Sequence, residues 1–285
     1  MKPSKTINIA WQGLLRNKLR SLLTMLGIII GVAAVIIMIA VSAGTEKTIE
    51  EQITGLGTNL VFVQSAFSRM GPGGGGAAAS TGGLVYDDAV ALASQVKGVT
   101  DVAVEQQSVQ TVKAGSVSLD GIPILGTTPG FPAVRDMSLA AGRYFSQAEV
   151  DRNQKLVVLG SALAVELYGE APAVGQSLAI GNTKFTVIGV FAEKGMVGDQ
   201  DYDGRVYMPI TVVFQKFTPS QFARVMGDRV RMIYVKVDDS LPLEETILQI
   251  QLLLARRHDV SLEEADFTLT TQQDIIQTQE STTEA

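Results

Sequence analysis

An uncharged segment near the N-terminus most constrains how this chain can fold. Residues 21–45 read SLLTMLGIIIGVAAVIIMIAVSAGT and contain no acidic or basic side chain. As a helix rising about 1.5 Å per residue, the segment would extend roughly 37 Å, more than the ~30 Å hydrocarbon core of a bilayer. It is therefore predicted to be a transmembrane helix.

The charges on the two sides of this segment differ in sign. The first 20 residues contain no acid and five basic residues, which are Lys2, Lys5, Arg16, Lys18 and Arg20. Acidic residues follow the segment at Glu46, Glu50 and Glu51. Because basic residues concentrate on the cytoplasmic side of membrane helices, residues 1–20 are predicted to be cytoplasmic and the bulk of the chain extracytoplasmic.

A cleaved signal peptide is the main alternative for the same segment. Val41 and Ala43 could be the small residues that precede a cleavage site. However, both the apolar stretch and the basic region before it are longer than those of ordinary signal peptides. An uncut membrane anchor is therefore the preferred interpretation.

Two sets of residues in and before the span predict contacts within the membrane. Apolar residues at steps of three and four predict an amphipathic helix in residues 1–20, which would place Trp11 at headgroup level and Arg16, Lys18 and Arg20 toward anionic lipid. The alternative is that these residues are an ordinary extension of the membrane helix. Gly27 and Gly31 in GIIIG form the small-xxx-small pattern that lets a second helix approach closely, although two glycines also occur by chance in such segments.

The remainder of the chain is acidic. Its 18 basic and 29 acidic residues give residues 46–285 a net charge of −11. Such a surface repels phosphate backbones, so nucleic acid is not expected as a partner. The chain has no cysteine, which excludes disulfides and thiolate metal sites.

Short alternating segments predict an α+β fold outside the membrane. NLVFVQ, VTDVAVEQQSVQTVKAG, SVSLDGIPILG, KFTVIGVFAEKG and RMIYVKV have the content of strands, whereas YDDAVALASQV and LEETILQIQLLL have helical periodicity. The stretch GTEKTIEEQI at residues 44–53 is predicted to continue the membrane helix as a stalk. The segment MGPGGGGAAASTGG at residues 70–83 is too poor in bulky apolar residues to pack and is predicted to be a flexible loop.

Nucleotide chemistry is not expected in this chain. Gly71, Gly73 and Gly76 formally satisfy G-x-G-x-x-G, but they lie within a glycine and alanine run and do not join a strand to a helix. The phosphate-binding pattern G-x-x-x-x-G-K-[ST] does not occur. No cofactor is predicted, and any ATP that drives the protein would be bound by another chain.

Metal binding and catalysis are also not expected. Asp199, Asp201 and Asp203 begin like a calcium loop, but the glutamate required at the twelfth position is replaced by Ile210, so a solvated acidic turn is the better interpretation. His258 is the only histidine and is interpreted as a surface cation at a helix end. The sequence contains no recognisable catalytic constellation, and the chain is predicted not to be an enzyme.

Several separated stretches resemble the permease subunits of MacB-like ATP-binding-cassette (ABC) transporters, which are related to the FtsX and LolC/LolE permeases. The stretches are RNKLRSLLTMLGIIIGVAAVI, AGRYFS, KLVVLGSALAVELYGEAPAVGQSLAIGNTKFTVIGVFAEKG, RVYMPI and ARRHDVSLEEADFTLTTQQDI, in that order over residues from about 5 to 280. The resemblance implies a bacterial inner-membrane protein with one N-terminal membrane helix and a periplasmic domain of two subdomains. Residues 46–114 with 228–281 would form the membrane-proximal subdomain, and residues 115–227 the inserted one.

The resemblance also implies partners and a mechanism. A cytoplasmic ABC ATPase would bind ATP, a permease homodimer or heterodimer would form, and a periplasmic adaptor could dock outside. Family members carry three further membrane helices, whereas this chain stops where the next would begin, so it is expected to be the first half of such a permease. The alternatives are a membrane-anchored periplasmic scaffold without transport activity and, third, an anchored secreted enzyme.

Overall fold

The computed structural model describes residues 18–54, 59–65, 83–197, 200–217, 228–238, 240–271 and residue 274. Contacts between Cα atoms divide the chain into two compact units, Met1–Glu51 and Gln52–Ala285. The second unit is called the outer unit below.

Helix α1 (Lys18–Thr54) contains the uncharged segment. Its 37 residues would extend about 55 Å. A helix satisfies its own backbone hydrogen bonds, which is the condition for crossing lipid. The helix has no interruption at residues 42–44, so the predicted membrane helix and the predicted stalk are one element.

The outer unit mixes strands and helices, which confirms the predicted α+β class. Its described strands are β1 (Leu60–Ser65), β2 (Val99–Ala114), β3 (Val117–Thr127), β4 (Leu139–Gly142), β5 (Leu156–Leu159), β6 (Ser177–Ile180), β7 (Thr183–Phe191), β8 (Met196–Val197), β9 (Gln200–Asp201), β10 (Val206–Pro209), β11 (Met232–Val237) and β12 (Phe267–Thr271). Its described helices are α2 (Tyr86–Gln95), α3 (Phe131–Val134), α4 (Gln147–Asp151), α5 (Ser161–Tyr168), α6 (Ile210–Lys216) and α7 (Leu243–His258).

Six of these strands close into a small barrel. β2 pairs with β3, β3 with β10, β10 with β5, β5 with β7, β7 with β6, and β6 with β2. Closure leaves these strands without a free edge. All six contribute to one buried apolar cluster; in β7, for example, buried Phe185 and Val187 alternate with exposed Lys184 and Thr186.

The sheet continues beyond the barrel through antiparallel pairs. The order is β12, β1, β11 and β2, so the long strand β2 belongs to both the barrel and this extension. Helices α2 and α7 bury Leu92, Ile250 and Leu254 in a second core that also includes Val61 and Ile233. β11 is buried on both faces. Ile233 and Val235 are fully buried on one face, and Tyr234 on the opposite face is only 5% exposed.

Two of the predictions are not tested by this structure. All of the predicted flexible loop at residues 70–83 except Gly83 lies outside the described residues. The division into residues 46–114 with 228–281 and residues 115–227 stays a prediction. Two buried cores exist, but strand β2 contributes to both.

Candidate functional site

The apolar part of α1 is the first candidate for a functional element. Residues Leu22–Val41 have a mean hydropathy of 2.9 and none of them is buried. Among the described residues, α1 is the one helix long and apolar enough to cross a membrane. Gly27 and Gly31 lie one turn apart on it, and a Cβ at either position would meet no other atom within 4 Å.

The other predicted membrane residues lie at the beginning of α1 or before it. Lys18 is exposed in the first turn, and Arg20 belongs to the same turn. Trp11 and Arg16 lie outside the described residues. Contact of these four with lipid, and helix packing at Gly27 and Gly31, stay predictions.

The outer unit contains a buried arginine packed among aromatic rings. Arg135 is 3% exposed, and its Cζ lies 5.0 Å from the ring centroid of Tyr234, 5.3 Å from that of Tyr202 and 5.8 Å from that of Phe62. Its Nη2 donates a hydrogen bond to the Tyr202 hydroxyl, whereas Nε and Nη1 have no hydrogen-bond partner. Three aromatic faces therefore provide much of its stabilisation.

Glu105 and Lys194 near this arginine have polar partners of their own. Glu105 is 6% exposed, accepts a hydrogen bond from the Tyr234 hydroxyl and lies 3.8 Å from Nη1 of Arg231. Lys194 Nζ donates to the carbonyl oxygen of Arg135 at 2.6 Å. The Glu105 contacts hold β2 against β11 and the residue before it, and the Lys194 contact ties the segment after β7 to the turn that follows α3.

His258 occupies a second ionic cluster, at the C-terminal end of α7. Its Nε2 lies 3.0 Å from Oδ2 of Asp88 and its Nδ1 lies 2.7 Å from Oδ1 of Asp266. Arg257 donates to Asp88 at 2.8 Å and to Asp87 at 2.6 Å. The side chain of His258 is only 10% exposed, so its interpretation as a surface cation is wrong. Residue spacing could not reveal carboxylates about 170 positions away.

This cluster changes the acidity of its members. Hydrogen bonding to Asp88 raises the pKa of His258 above 6.5, burial opposes the shift, and Asp266 adds to it. Burial acts to raise the pKa of Asp88, but hydrogen bonds from His258, Arg257 and the Val85 backbone outweigh it and keep this pKa below 3.8. The imidazolium form, which can donate from both nitrogens, fits two carboxylate neighbours.

The described part of the predicted acidic turn, residues 200–204, is only partly solvated. Asp201 is exposed, but Asp203 is 7% exposed and accepts backbone hydrogen bonds from Lys194 at 3.0 Å and Gly195 at 2.7 Å. The expectation of a solvated turn is therefore wrong for Asp203, whose buried carboxylate binds the backbone of the segment that follows β7. Asp199 lies outside the described residues.

An open groove lies beside α2. Its volume is about 580 Å³, and its walls include Tyr86, Val90 and Pro129. Asp101 lies at the groove, and burial raises the pKa of its carboxyl group. A Cβ at Gly130 would lie 2.2 Å from Oδ1 of Asp101, so a side chain there would require the Asp101 carboxylate to move. The groove could accommodate an apolar group, but it has no nucleophile with an adjacent base.

The ionic clusters join structural elements that are far apart in the chain. In the described part of the chain, no group of three His, Cys, Asp or Glu residues could hold a metal ion. The sequence alone did not reveal Arg135, Glu105 or the pairing of His258, because each depends on contacts between distant segments.

Comparison with known proteins agrees with this architecture. The model of the MacB-like periplasmic core domain matches residues 21–253. The periplasmic region of MacB from Actinobacillus actinomycetemcomitans aligns over 82% of this chain and 98% of that one, with a TM-score of 0.64 at 23% identity. The extracellular domain of the ABC-type transporter YknZ from Gram-positive bacteria aligns over 74% and 99%, with a TM-score of 0.58 at 16% identity. These two similarities concern the fold.

Full-length relatives extend well beyond this chain. The macrolide export ATP-binding/permease protein MacB of Bdellovibrio bacteriovorus is 32% identical over 88% of this chain and 37% of its own length. The pyoverdine export ATP-binding/permease protein PvdT of Pseudomonas aeruginosa is 33% identical over 72% of this chain and 30% of its own length. The chain thus spans less than half of these relatives. It belongs to the family defined by the MacB-like periplasmic core domain.

Proposed function

We propose that this chain is a permease subunit that couples ATP hydrolysis in the cytoplasm to shape changes outside the membrane, for the export or extraction of a substrate. The supporting observation is the family match over residues 21–253, which includes both the apolar helix and most of the outer unit. Because the chain has no G-x-x-x-x-G-K-[ST] loop, ATP would be bound outside it, by a cytoplasmic ABC ATPase.

Helix α1 would transmit the movement. It is continuous from Lys18 to Thr54, so displacement of its cytoplasmic end by the ATPase would be passed along a stiff element. The outer unit would respond by a change of shape, and the chain itself would make or break no covalent bond. Work of this kind needs no catalytic residue.

The proposal includes a location and an assembly. The chain would lie in the bacterial inner membrane with a cytoplasmic N-terminus and a periplasmic outer unit. Two permease copies, or this chain and a related one, would share one pair of ATPase subunits. A periplasmic adaptor could contact the outer unit.

Affinity capture tests the proposal. The tagged full chain, extracted from membranes of its native host in mild detergent, is expected to retain an ABC ATPase, and an unrelated single-helix membrane protein with the same tag should not. Addition of the chain to that ATPase in proteoliposomes should change its rate of ATP hydrolysis. An intact chain that retains no ATPase would favour the scaffold alternative.

A further inference from the structure

One exposed ridge of helix α7 has an acidic residue at one end, a basic residue at the other and two leucines between them. The helix buries Thr246, Ile250, Leu254 and Ala255 against the second core. On its outer side, exposed residues recur at every fourth position, and this set, called the α7 ridge, is Glu244, Leu248, Leu252 and Arg256. Residues spaced by four form the rows that pack when two helices cross.

The two leucines of the α7 ridge are the unexplained feature. Leu248 is 49% exposed and Leu252 is 47% exposed, and they lie one turn apart. The helix dipole accounts for the acid at the N-terminal end and the base at the C-terminal end. It does not account for two neighbouring leucines that remain half-exposed between them.

The charges at the ends of the ridge are available to a partner. The last turn of α7 contains three basic residues; Arg257 and His258 bind Asp87, Asp88 and Asp266, whereas Arg256 is exposed. In the described part of the chain, neither Glu244 nor Arg256 forms an ion pair within 4.0 Å.

The order of residues along the ridge is complementary to itself. In an antiparallel second copy centred on position 250, residue 244 is opposite residue 256 and residue 248 is opposite residue 252. Each Glu244 then faces an Arg256, and each Leu248 faces a Leu252. A parallel copy would instead place like charges opposite one another. Isologous contacts of this kind are typical of two-fold symmetric assemblies.

We propose that the α7 ridge is a contact surface for a second copy of this chain in antiparallel orientation. Four side chains per copy cover much less than the roughly 800 Å² per partner of a standard interface, so the contact joins copies already held in one membrane. In that respect the inference rests on the proposed function, under which both copies lie in the same membrane.

Disulfide crosslinking in membranes tests the geometry, and the chain has no cysteine of its own. Full-length chains with different tags are co-expressed, one with Leu248→Cys and the other with Leu252→Cys. This mixed pair is expected to crosslink at least about threefold more than either matched pair, because matched positions lie four residues, or about 6 Å, further apart along the helices. Equal or stronger crosslinking of matched pairs, or none of the mixed pair, would overturn the proposal.

Charge reversal provides a second test. In the mixed cysteine pair, Glu244→Arg or Arg256→Glu in both copies should lower crosslinking about threefold, and the double variant should restore it, because the double variant again pairs opposite charges. Glu263→Arg, the same charge change at an exposed position after the helix, is the control. The proposal would be overturned if the single variants had no effect or if the double variant did not restore crosslinking. ATPase capture by the same chains is scored separately, so that loss of capture with intact crosslinking refutes only the proposed function.

Discussion

Nε2 of His258 lies 3.0 Å from Oδ2 of Asp88, a residue 170 positions earlier in the chain. The contact joins the C-terminal end of α7 to the N-terminal end of α2, where Asp88 also accepts a hydrogen bond from the Val85 backbone at 2.9 Å. Both helix dipoles favour this arrangement, because a cation lies at a C-terminus and an anion at an N-terminus. The two helices that cover the extended sheet are therefore connected by an ionisable pair.

The pair predicts a pH-dependent stability. Because the folded state raises the pKa of His258, the stabilisation is fully present below about 6.5, the ordinary value, and is lost as pH rises through the raised pKa. Because the pKa of Asp88 is lowered, its contribution is present above 3.8 and is lost as pH falls through the lowered value. Stability from this cluster should thus be greatest between about pH 4 and pH 6.5.

His258→Gln tests this expectation. At pH 6 the free energy of unfolding of the variant should be about 1–3 kcal/mol lower than that of the parent, because Asp88 and Asp266 lose a charged partner. The difference should shrink toward pH 9, since the parent then loses its proton. Thermal unfolding of the full chain in detergent measures both values. Asp259→Asn, at an adjacent exposed position, is the control. A difference in free energy of unfolding between His258→Gln and the parent that does not vary with pH would contradict a stabilising role of the His258 charge.

The packing of the Arg135 side chain is expected to contribute more to the stability of the outer unit than its positive charge does. Arg135→Ala should cost about 3–5 kcal/mol, because it removes a buried side chain packed among three aromatic rings. Arg135→Met should cost less, because it fills most of the space and brings no charge that needs compensation. Chemical denaturation of both variants measures the two losses. An equal loss would show that the guanidinium charge itself is required.

Gly142 is expected to tolerate no side chain. It has a φ of +76°, and a Cβ would lie 2.2 Å from the carbonyl oxygen of Ile188 in the adjacent strand β7. Gly142→Ala should therefore cost more than about 2 kcal/mol and lower the melting temperature by at least about 4 °C. Gly115→Ala is the matched control, because Gly115 has a φ of +57° but open space around it, and its cost should stay near 1 kcal/mol.

Gly27 and Gly31 are expected to form a helix-packing face within the membrane. Replacing both with leucine should reduce association between copies about tenfold, because the bulkier side chains prevent close helix approach. Ala33→Leu, on a different side of α1, should have little effect. Förster transfer between differently labelled copies in proteoliposomes measures association, and unchanged transfer in the double variant would count against this face.

The orientation in the membrane can be tested with single cysteines. Ser94 is exposed in the outer unit, so Ser94→Cys should react with a membrane-impermeant maleimide in cells whose outer membrane is permeabilised. Ser4→Cys should react only after the inner membrane is also opened, because the basic N-terminal segment is predicted to be cytoplasmic. The opposite pattern would reverse the topology, and release of Ser94→Cys protein from membranes would indicate a cleaved signal.

Patterns within a few residues predicted the elements well. β-Branched and aromatic content identified β1 and β11, and helical periodicity identified α2, in whose first turn Asp88 accepts a backbone hydrogen bond. The surface interpretation of His258 failed because helix periodicity specifies the face of a residue but not which distant carboxylates approach it. The solvated interpretation failed for Asp203 for the same reason.

The sequence by itself determined the uncharged helix, its flanking charges and the mixed class of the outer unit, because those properties follow from composition and spacing within one segment. Only the tertiary structure decided that six strands close into a barrel, that Arg135 lies among Phe62, Tyr202 and Tyr234, and that Arg256 stays free of the ion pairs that occupy Arg257. Each of these depends on the pairing of strands and side chains far apart in the chain, which local propensity does not specify.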